Sequence, residues 1–494
     1  MTSHHSSRRT FLRTVGSGLI GLSLSGRVLS ANAAGGRKPN ILFCLADDQS
    51  WPHASAYGAK VIRTPNFDRV AEEGVLFNRA YCACPSCTPS RSGILTGQDI
   101  WRLDQGAQLF GTLSKEHPVY TDLLAQAGYH VGYIAKGWAP GHNKAGGRSG
   151  NAAGKSYRSF KQFFDASEKG KPWCFWFGSR DPHRGYRFGS GAASGMDPAK
   201  VEVPAVFPDT PEVRKDICDY YLEIQRFDRD LGAMLKTIEA AGQLDNTIVV
   251  VTSDNGMPFP RAKATLYDLG VRMPLAISWK GKIPGGRKVD DFVSLTDLAP
   301  TFCQAAGITP PKQMTGRSLL GILQSKKSGR IEPDRDCVFT ARERHAWCRI
   351  DGKGYASRMI RTKDFMYIRN YQPDRWPAGI ARIVTNEGQY GDVDASPTKT
   401  YMLKNRTDAR DKKLFELSFG KRPREEFYDY RTDPFQMNNL AGDAKYKASM
   451  KKLSDRLTAH LKETGDPRET SQKIMWDQWP YYGNNKWKIL PEKE

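Results

Sequence analysis

Short apolar runs alternate with helical segments through the first two thirds of this chain, and this alternation limits its fold more than any other feature of the sequence. Four of the apolar runs have the length of buried strands and lie at residues 41–46, 131–135, 173–178 and 247–252. A long helical pattern spans 216–241, and a shorter one opens at Thr64. Strands that alternate with helices form mostly parallel sheets with helices on their faces. The sequence therefore predicts an α/β fold with a mostly parallel central sheet flanked by helices.

The character of the sequence changes near residue 330. Short aromatic and basic segments follow that point, and one helical stretch lies near residues 446–463. The chain has 494 residues, of which 39% are apolar and 26% charged, a composition typical of globular proteins. We predict a catalytic domain at 38–330 and a smaller C-terminal α+β domain at 331–494.

The first 34 residues have the features of an export signal. Arg8 and Arg9 precede a weakly apolar stretch at 15–29, and small residues follow at 31–34. A basic tail or a membrane anchor is the alternative, but the stretch is rich in Gly and Ser and shorter than the roughly 20 apolar residues of a membrane span. We predict a twin-arginine signal peptide at 1–34, passage through the twin-arginine export machinery, and a periplasmic or extracellular protein without stable membrane insertion.

The formal net charge of +21 predicts attraction to polyanions. These include nucleic acid, anionic lipid and sulfated or carboxylated polysaccharide. An exported protein meets polysaccharide more often than nucleic acid, so we expect a saccharide partner and no nucleic acid. The charges are dispersed rather than gathered in a run, and a generally basic surface is an equal alternative.

Two pairs of short oxygen-bearing side chains follow two of the predicted strands. Asp47 and Asp48 come after the first strand, and Asp254 and Asn255 come after the fourth. Open α/β sheets place ligand sites at the carboxyl ends of their strands. Hard oxygen ligands favour calcium or magnesium over zinc. Either pair alone is more typical of a helix N-cap or an Asx-turn, and their joint placement is what favours a metal site.

The segment 87–97 reads Cys-Thr-Pro-Ser-Arg-Ser-Gly-Ile-Leu-Thr-Gly. Cys87 is expected just ahead of a proline-started helix, whose N-terminal dipole favours negative charge on a nucleophile, and Arg91 lies one turn further on. A buried structural cysteine is one alternative. A zinc site with Cys82 and Cys84 is another. Neither explains the Pro-Ser-Arg that follows the cysteine.

This segment resembles the signature of the sulfatase family, Cys-x-Pro-Ser-Arg followed by leucine and Thr-Gly. The resemblance covers nearly the whole chain after the signal, and 427–440 is similar to the family's C-terminal signature. It implies the alkaline phosphatase-like fold, sulfatase activity and one calcium ion. It also implies that a formylglycine-generating maturation enzyme converts Cys87 into 3-oxoalanine (formylglycine).

The resemblance assigns roles to individual residues. The implied calcium ligands are Asp47, Asp48, Asp254, Asn255 and the modified Cys87. The implied catalytic residues are Cys87, Arg91, Lys136, His183 and Lys263. In the implied mechanism a hydroxyl of the aldehyde hydrate attacks sulfur while Lys136 and Lys263 hold the sulfate oxygens. His183 protonates the leaving amine or alcohol, and Asp254 or a neighbour takes the proton of the nucleophile.

One position departs from the family pattern. Sulfatases usually have Lys-x-His where this chain has Lys136-Gly137-Trp138, so a tryptophan stands at the place of the histidine. Either His142 supplies the imidazole from a longer loop, or the site works without it.

Among sulfatases the chain most resembles the N-sulfoglucosamine sulfohydrolases, in segments 181–184, 206–211 and 253–260. This implies that it removes the N-sulfate of glucosamine in heparin or heparan sulfate. Anionic sugars favour arginine forks and aromatic platforms, and the candidate glycan contacts are Arg342, Glu343, Arg344 and His345, with Arg375 and Trp376. For these residues, packing in the core or surface of the C-terminal domain is an equal alternative.

Three other functions are compatible with the sequence. The first is an O-sulfatase for another glycosaminoglycan or an algal glycan, and the second is a phosphonate or phosphate ester hydrolase of the same superfamily. The third is a sulfated-glycan-binding protein in which Cys87 stays unmodified. The retained acidic pairs, Lys136, His183 and Lys263 favour an enzyme.

Overall fold

The structure is a computed structural model that describes residues 37–470 and 473–491. The predicted signal peptide at 1–34 lies outside these residues. Within the described part of the chain, none of the helices combines the length and the apolar character that crossing a membrane requires.

The strands are numbered in chain order. They are β1 (Asn40–Ala46), β2 (Val75–Phe77), β3 (Ala80–Tyr81), β4 (His130–Ala135), β5 (Lys155–Ser156), β6 (Trp173–Gly178), β7 (Thr247–Ser253), β8 (Arg272–Met273), β9 (Leu275–Trp279), β10 (Arg287–Val289), β11 (Val293–Ser294), β12 (Cys337–Arg342), β13 (Ser357–Thr362), β14 (Phe365–Asn370), β15 (Ile383–Val384), β16 (Glu425–Asp429) and β17 (Lys488–Ile489).

The α-helices are numbered in the same way. They are α1 (Pro65–Glu72), α2 (Cys87–Thr96), α3 (Tyr120–Gln126), α4 (Phe160–Asp165), α5 (Ser190–Ala193), α6 (Pro211–Ala240), α7 (Asp268–Val271), α8 (Leu298–Ala305), α9 (Leu320–Gln324), α10 (Pro397–Lys404), α11 (Lys412–Phe419) and α12 (Lys447–Glu463).

An eight-stranded sheet in the order β10-β2-β9-β7-β1-β6-β4-β5 forms the centre of the fold. All neighbouring strands pair in parallel except β9, which is antiparallel to both β2 and β7. The four predicted strands are β1, β4, β6 and β7, and they lie side by side. The predicted α/β fold with a mostly parallel sheet is confirmed.

The core lies on both faces of this sheet. Along β1, Ile41, Phe43 and Leu45 pack into one apolar cluster, whereas Leu42 and Cys44 pack into the cluster on the opposite face. Successive side chains of a strand point to opposite faces, so a strand covered on both sides must be apolar throughout. This requirement explains why the strands at the centre of the sheet appear in the sequence as continuous apolar runs.

Two helix starts differ from the predictions. Helix α6 begins at Pro211 rather than at 216, because Thr210 accepts a hydrogen bond from the backbone N–H of Val213 and Pro211 occupies the first turn. Helix α2 begins at Cys87 itself, with Ser86 as its N-cap residue, rather than after the cysteine. Cys87 therefore lies within the first turn of α2.

The C-terminal part contains a second, antiparallel sheet in the order β12-β13-β14-β16. Helix α12 packs on it through Leu453, Leu457 and Leu461, which share an apolar cluster with Tyr367 and Phe427. The α+β character and the helix predicted near 446–463 are confirmed. A short ribbon pairs β15 with β17, and the exact domain boundaries stay predictions.

Candidate active site

The strand ends of the central sheet meet at one cleft. Asp47 follows β1, Lys136 follows β4 and Asp254 follows β7. Backbone hydrogen bonds hold these ends together, from Lys136 N–H to Gly178 O at 2.7 Å and from Asp254 N–H to Ala46 O at 3.1 Å. The cleft has a volume of about 560 Å³. Its position is the one that the strand order of an α/β sheet predicts for a ligand site.

Four buried side chains converge at the floor of this cleft. One oxygen from each of Asp47, Asp48 and Asp254 and the sulfur of Cys87 lie within 4.8 Å of one another. Cys87 Sγ is 3.4 Å from Asp47 Oδ1 and 3.9 Å from Asp48 Oδ1. The predicted metal ligands are therefore neighbours in the fold, as is Asn255, whose Nδ2 donates to Asp48 Oδ1 at 2.7 Å.

The composition of this cluster fits a hard divalent cation. Three carboxylates in so small a volume repel one another, and a cation among them would offset that repulsion. Asn255 Oδ1 is buried and has no hydrogen-bond partner, which is costly for a polar atom unless a ligand satisfies it. Carboxylate and amide oxygens are the ligands that calcium and magnesium prefer.

Three cationic side chains surround the carboxylates, namely Lys136, Arg91 and Lys263. Lys136 Nζ lies 2.7 and 2.6 Å from the two oxygens of Asp47. Arg91 Nε donates to Asp254 Oδ2 at 2.8 Å, and another nitrogen of its guanidinium is 3.6 Å from Asp47. Burial alone would raise the pKa of Asp47, but Lys136 and Arg91 lower it well below its ordinary value. Asp47 is therefore ionised.

Lys263 lies between two carboxylates. Its Nζ is 2.8 Å from Asp48 Oδ2 and 3.4 Å from Asp394 Oδ1. Burial would lower the pKa of Lys263, but Asp394 and Asp48 raise it well above its usual value. Asp394 was not predicted from the sequence, because it lies in a loop of the C-terminal part and follows no strand of the central sheet.

The unmodified thiol of Cys87 is neutral in this environment. Burial raises its pKa well above the ordinary value, and the charge of Asp47 raises it further. The thiolate rather than the thiol is the nucleophilic form of cysteine. Burial and the charge of Asp47 therefore favour the neutral thiol when no metal cation lies beside it.

His183 lies at the open side of the cluster. Its Nε2 is 3.9 Å from Asp48 Oδ2, and its side chain is 38% exposed at the cleft. Its other ring nitrogen is 3.2 Å from the backbone oxygen of Arg184. The neighbouring Arg184 is buried in an ion pair with Asp216. His183 can therefore contact both the cluster and a bound molecule.

The structure does not bring His142 to the cleft. Its exposed ring stacks on Tyr482 with centroids 4.8 Å apart, and its Nδ1 accepts a hydrogen bond from Ala145 N–H at 3.0 Å. Trp138 is buried and donates from Nε1 to Ser92 Oγ at 2.8 Å. The imidazole of His142 lies outside the cleft, so its position does not support the idea that it replaces the missing histidine.

Of the four predicted glycan contacts at 342–345, His345 alone lines the cleft. Its Nδ1 is 2.8 Å from Ser86 Oγ, and burial lowers its pKa to about 3, so the ring is neutral. The positions of the other three do not support the prediction, because none of them lines the cleft and each has an internal partner. Arg342 pairs with Asp392, Glu343 pairs with Arg358 and Arg468, and Arg344 donates to Gln108.

The two remaining predicted glycan contacts also have internal partners. Arg375 pairs with Asp477 at 2.8 Å, and Trp376 packs in a small apolar cluster near Tyr390. The cleft is also lined by residues that the sequence patterns did not indicate. They include Phe110, Arg180, Trp347, Glu387, Tyr481 and Lys486. They come from separate loops, and no local motif marks them.

Family models match both parts of the chain. The model described as Sulfatase matches residues 39–308, and the model described as N-sulphoglucosamine sulphohydrolase, C-terminal, matches 261–377. Human N-sulphoglucosamine sulphohydrolase is 29% identical over 487 residues, which cover 87% of this chain and 91% of that protein. An ulvan-active sulfatase of Formosa agariphila is 27% identical, over 87% of this chain and 76% of that protein.

Solved structures share the fold. A protein solved in complex with its substrate D-glucosamine-2-N,6-O-disulfate superposes with a TM-score of 0.66 at 22% identity, covering 89% of this chain and all of that one. The phosphonate monoester hydrolase of Agrobacterium radiobacter superposes with a TM-score of 0.64 at 16% identity, covering 86% of this chain and 96% of the other. At these identities the superpositions show a common fold.

Proposed function

Because this chain belongs to the sulfatase family, we propose that it hydrolyses the N-sulfate of glucosamine in heparin or heparan sulfate. The convergence of Cys87 with three carboxylates and two lysines at the strand ends is the observation that carries the sulfatase chemistry. The preference for N-sulfate rests on the match at 261–377 and on the similarity to the human N-sulphoglucosamine sulphohydrolase.

We propose that Cys87 is converted into formylglycine by a maturation enzyme, and that Asp47, Asp48, Asp254 and Asn255 hold one calcium ion. When present, formylglycine supplies a hydrated aldehyde as the nucleophile, and calcium supplies a Lewis acid for the sulfate oxygens. The signature that begins at Cys87 and the position of this residue next to Asp47 in the cluster support the modification. The acidic cluster and the orphan oxygen of Asn255 support the metal.

The chain's own residues then bind the sulfate group and move a proton. The ammonium groups of Lys136 and Lys263 lie beside the cluster and attract the sulfate oxygens. His183 faces the cleft and donates a proton to the leaving nitrogen, which would otherwise depart as an unstable anion. Arg91 is fully buried, so its role is to hold Asp254 and Asp47 in place.

Export is a separate part of the proposal. The Arg8-Arg9 pair and the small residues at 31–34 support a twin-arginine signal peptide and a periplasmic or extracellular location. The twin-arginine route carries folded proteins, so the modification of Cys87 would precede export.

An O-sulfatase is the second candidate. It is favoured by the similarity to the ulvan-active sulfatase and to an N-acetylglucosamine-6-O-sulfatase of Bacteroides thetaiotaomicron, which is 23% identical over 87% of each chain. The cluster, Lys136 and Lys263 would act in the same way on a sulfate ester. Only the contacts to the sugar would differ.

A matched substrate panel tests the proposal. Sulfate release is measured from N-sulfated glucosamine, 6-O-sulfated N-acetylglucosamine and a phosphate monoester, with natively matured protein and calcium. We expect the highest kcat/KM for the N-sulfated sugar. Preferential O-sulfate cleavage would favour the second candidate, and preferential phosphate release would contradict both.

A further inference from the structure

We propose that an aromatic platform at the cleft binds a second sugar ring, next to the ring that carries the sulfate. The platform consists of Phe110, Trp347 and Tyr481, all of which line the cleft. This inference rests on the proposed function, because it takes the substrate to be a sulfated saccharide. A cleft of about 560 Å³ is in the size range of drug-sized ligands rather than of a single small group.

Tyr481 lies at the centre of the platform. Its ring centroid is 5.2 Å from that of Phe110 and 5.4 Å from that of Trp347. The buried guanidinium of Arg344 lies 5.4 Å from both the Tyr481 and the Trp347 rings. The three rings are half-buried, so each keeps part of its apolar surface toward the cleft. The C–H face of a pyranose ring is the kind of surface that packs on such rings.

The backbone packs closely against two of these rings. A Cβ atom on Gly352 would lie 2.1 Å from the Trp347 ring, and one on Gly483 would lie 2.6 Å from the Phe110 ring. The glycines therefore allow the chain to pack directly against the rings. Close packing restricts the motion of the rings before binding, which reduces the entropy that sugar binding costs.

Phe110 itself has a strained backbone. Its φ of +54° lies in the left-handed region, which is unusual for a bulky aromatic residue. The carbonyl of Phe110 accepts a hydrogen bond from Tyr482 N–H at 2.9 Å, which ties this loop to the C-terminal segment. Strain of this kind concentrates at ligand-binding sites. Phe110 lies at the cleft, where its ring packs against Tyr481.

Lys486 gives the platform a preference for anionic sugars. It is exposed at the cleft, and its backbone N–H donates to Asn484 Oδ1 at 3.0 Å. The pairing of β17 with β15, which matches Lys488 to Val384, anchors this segment beside the cleft. An ammonium group here attracts a carboxylate or sulfate on the second ring. The inferred ligand is therefore a sulfated glucosamine joined to an acidic pyranose.

The test compares two substrates that carry the same N-sulfated glucosamine, one free and one linked to a uronic acid. Aromatic packing is worth about 0.5–1.5 kcal/mol, so we expect kcat/KM to be roughly two- to twelvefold higher for the disaccharide. Tyr481→Ala should bring this ratio close to one. Tyr481→Phe, which keeps the ring, and Tyr482→Ala, which removes a neighbouring ring outside the cleft, should retain it.

Two further measurements keep the result decisive. Lys486→Gln changes an exposed side chain without threatening the fold, and it should reduce the preference for an acidic over a neutral second ring, although Arg180 also lines the cleft. Binding of the unsulfated disaccharide, followed by tryptophan fluorescence, should weaken in Tyr481→Ala but not in Tyr482→Ala. Equal kcat/KM for the two substrates in the unaltered protein would overturn the platform while leaving the proposed function intact. Sulfate release from neither would contradict the proposed function, and the binding measurement would then decide on the platform.

Discussion

The thiol of Cys87 lies 3.4 Å from Oδ1 of Asp47, although 40 residues separate the two positions in the chain. Asp47 directly follows β1, and Cys87 begins α2. The fold thus brings the first turn of a helix to the carboxyl end of a central strand. A nucleophile generated on the Cys87 side chain would therefore lie in contact with the carboxylate of Asp47.

Replacement of Cys87 should remove activity without unfolding the protein. Cys87→Ala deletes the side chain that carries the proposed nucleophile, and loss of a nucleophile typically lowers kcat by on the order of 10³-fold or more. Sulfate release from N-sulfated glucosamine measures the loss. Cys84→Ala, at another buried cysteine, is the matched control and should keep most of the activity. Comparable activity in the two variants would exclude Cys87 as nucleophile.

Arg91 should be essential for stability. It is fully buried and pairs with Asp254 and Asp47. Arg91→Met removes the close partner of Asp254 and one of the two cations beside Asp47, and breaking a buried pair lowers the free energy of unfolding by about 3–5 kcal/mol. Urea denaturation of metal-free protein measures this change. Arg229→Met, at a 72% exposed side chain, should change it by no more than roughly 0.5 kcal/mol, and a similar small effect at Arg91 would contradict the assigned role.

Calcium should stabilise the fold through the acidic cluster. A cation offsets the repulsion among Asp47, Asp48 and Asp254, and a ligand present at about 100 times its Kd stabilises by about 2.7 kcal/mol. Tm should therefore rise when calcium is added to chelated protein. Asp48→Asn should reduce this rise, whereas Asp455→Asn, at an exposed side chain, should leave it unchanged. If calcium does not change the Tm of the unaltered protein, this result would argue against a metal at the cluster.

The two candidate histidines should behave differently. His183 lines the cleft, and loss of a general acid lowers rates by about 10²- to 10⁴-fold, so His183→Gln should reduce kcat by that amount. His142→Gln should leave kcat unchanged, because this ring stacks on Tyr482 outside the cleft. Steady-state kinetics on one N-sulfated substrate compares them. A large loss in His142→Gln would reverse the assignment.

Asp392 should make stability depend on pH in the acidic range. Burial would raise its pKa, but Arg349 and Arg342 lower it well below the ordinary value. A carboxylate with a lowered folded pKa contributes stability above its unfolded pKa of about 4 and loses that contribution as pH falls toward the folded value. Asp392→Asn should be less stable near neutral pH, and its difference from the unaltered protein should narrow below about pH 4. Denaturation at several pH values checks this, and a constant difference would contradict it.

The sequence predicted the centre of the fold because its signals are local. Strand β6 has the bounds predicted for it, since a strand buried on both faces must be apolar throughout. The polar residues that follow β1, β4 and β7 were expected to meet, because parallel strands place their carboxyl ends at one edge. Asp47, Lys136 and Asp254 do meet there.

The contribution of the C-terminal part could not be predicted in the same way. Arginine is a residue type suited to binding an anionic sugar, but the partner of Arg342 is Asp392, 50 residues away, and no local pattern distinguishes a buried ion pair from an exposed arginine. Glu343 and Arg468 are 125 residues apart. Asp394 and Tyr481 reach the cleft only through tertiary packing, which leaves no periodic signal in the sequence.

Mass analysis of the peptide 80–91 from active protein tests the central claim most directly. This peptide contains Cys87 and ends at Arg91, where trypsin cleaves. In a preparation that releases sulfate, we expect a population in which the Cys87 side chain has become an aldehyde that reacts with a hydrazide probe. Active protein in which Cys87 is found only as a free thiol would contradict the account.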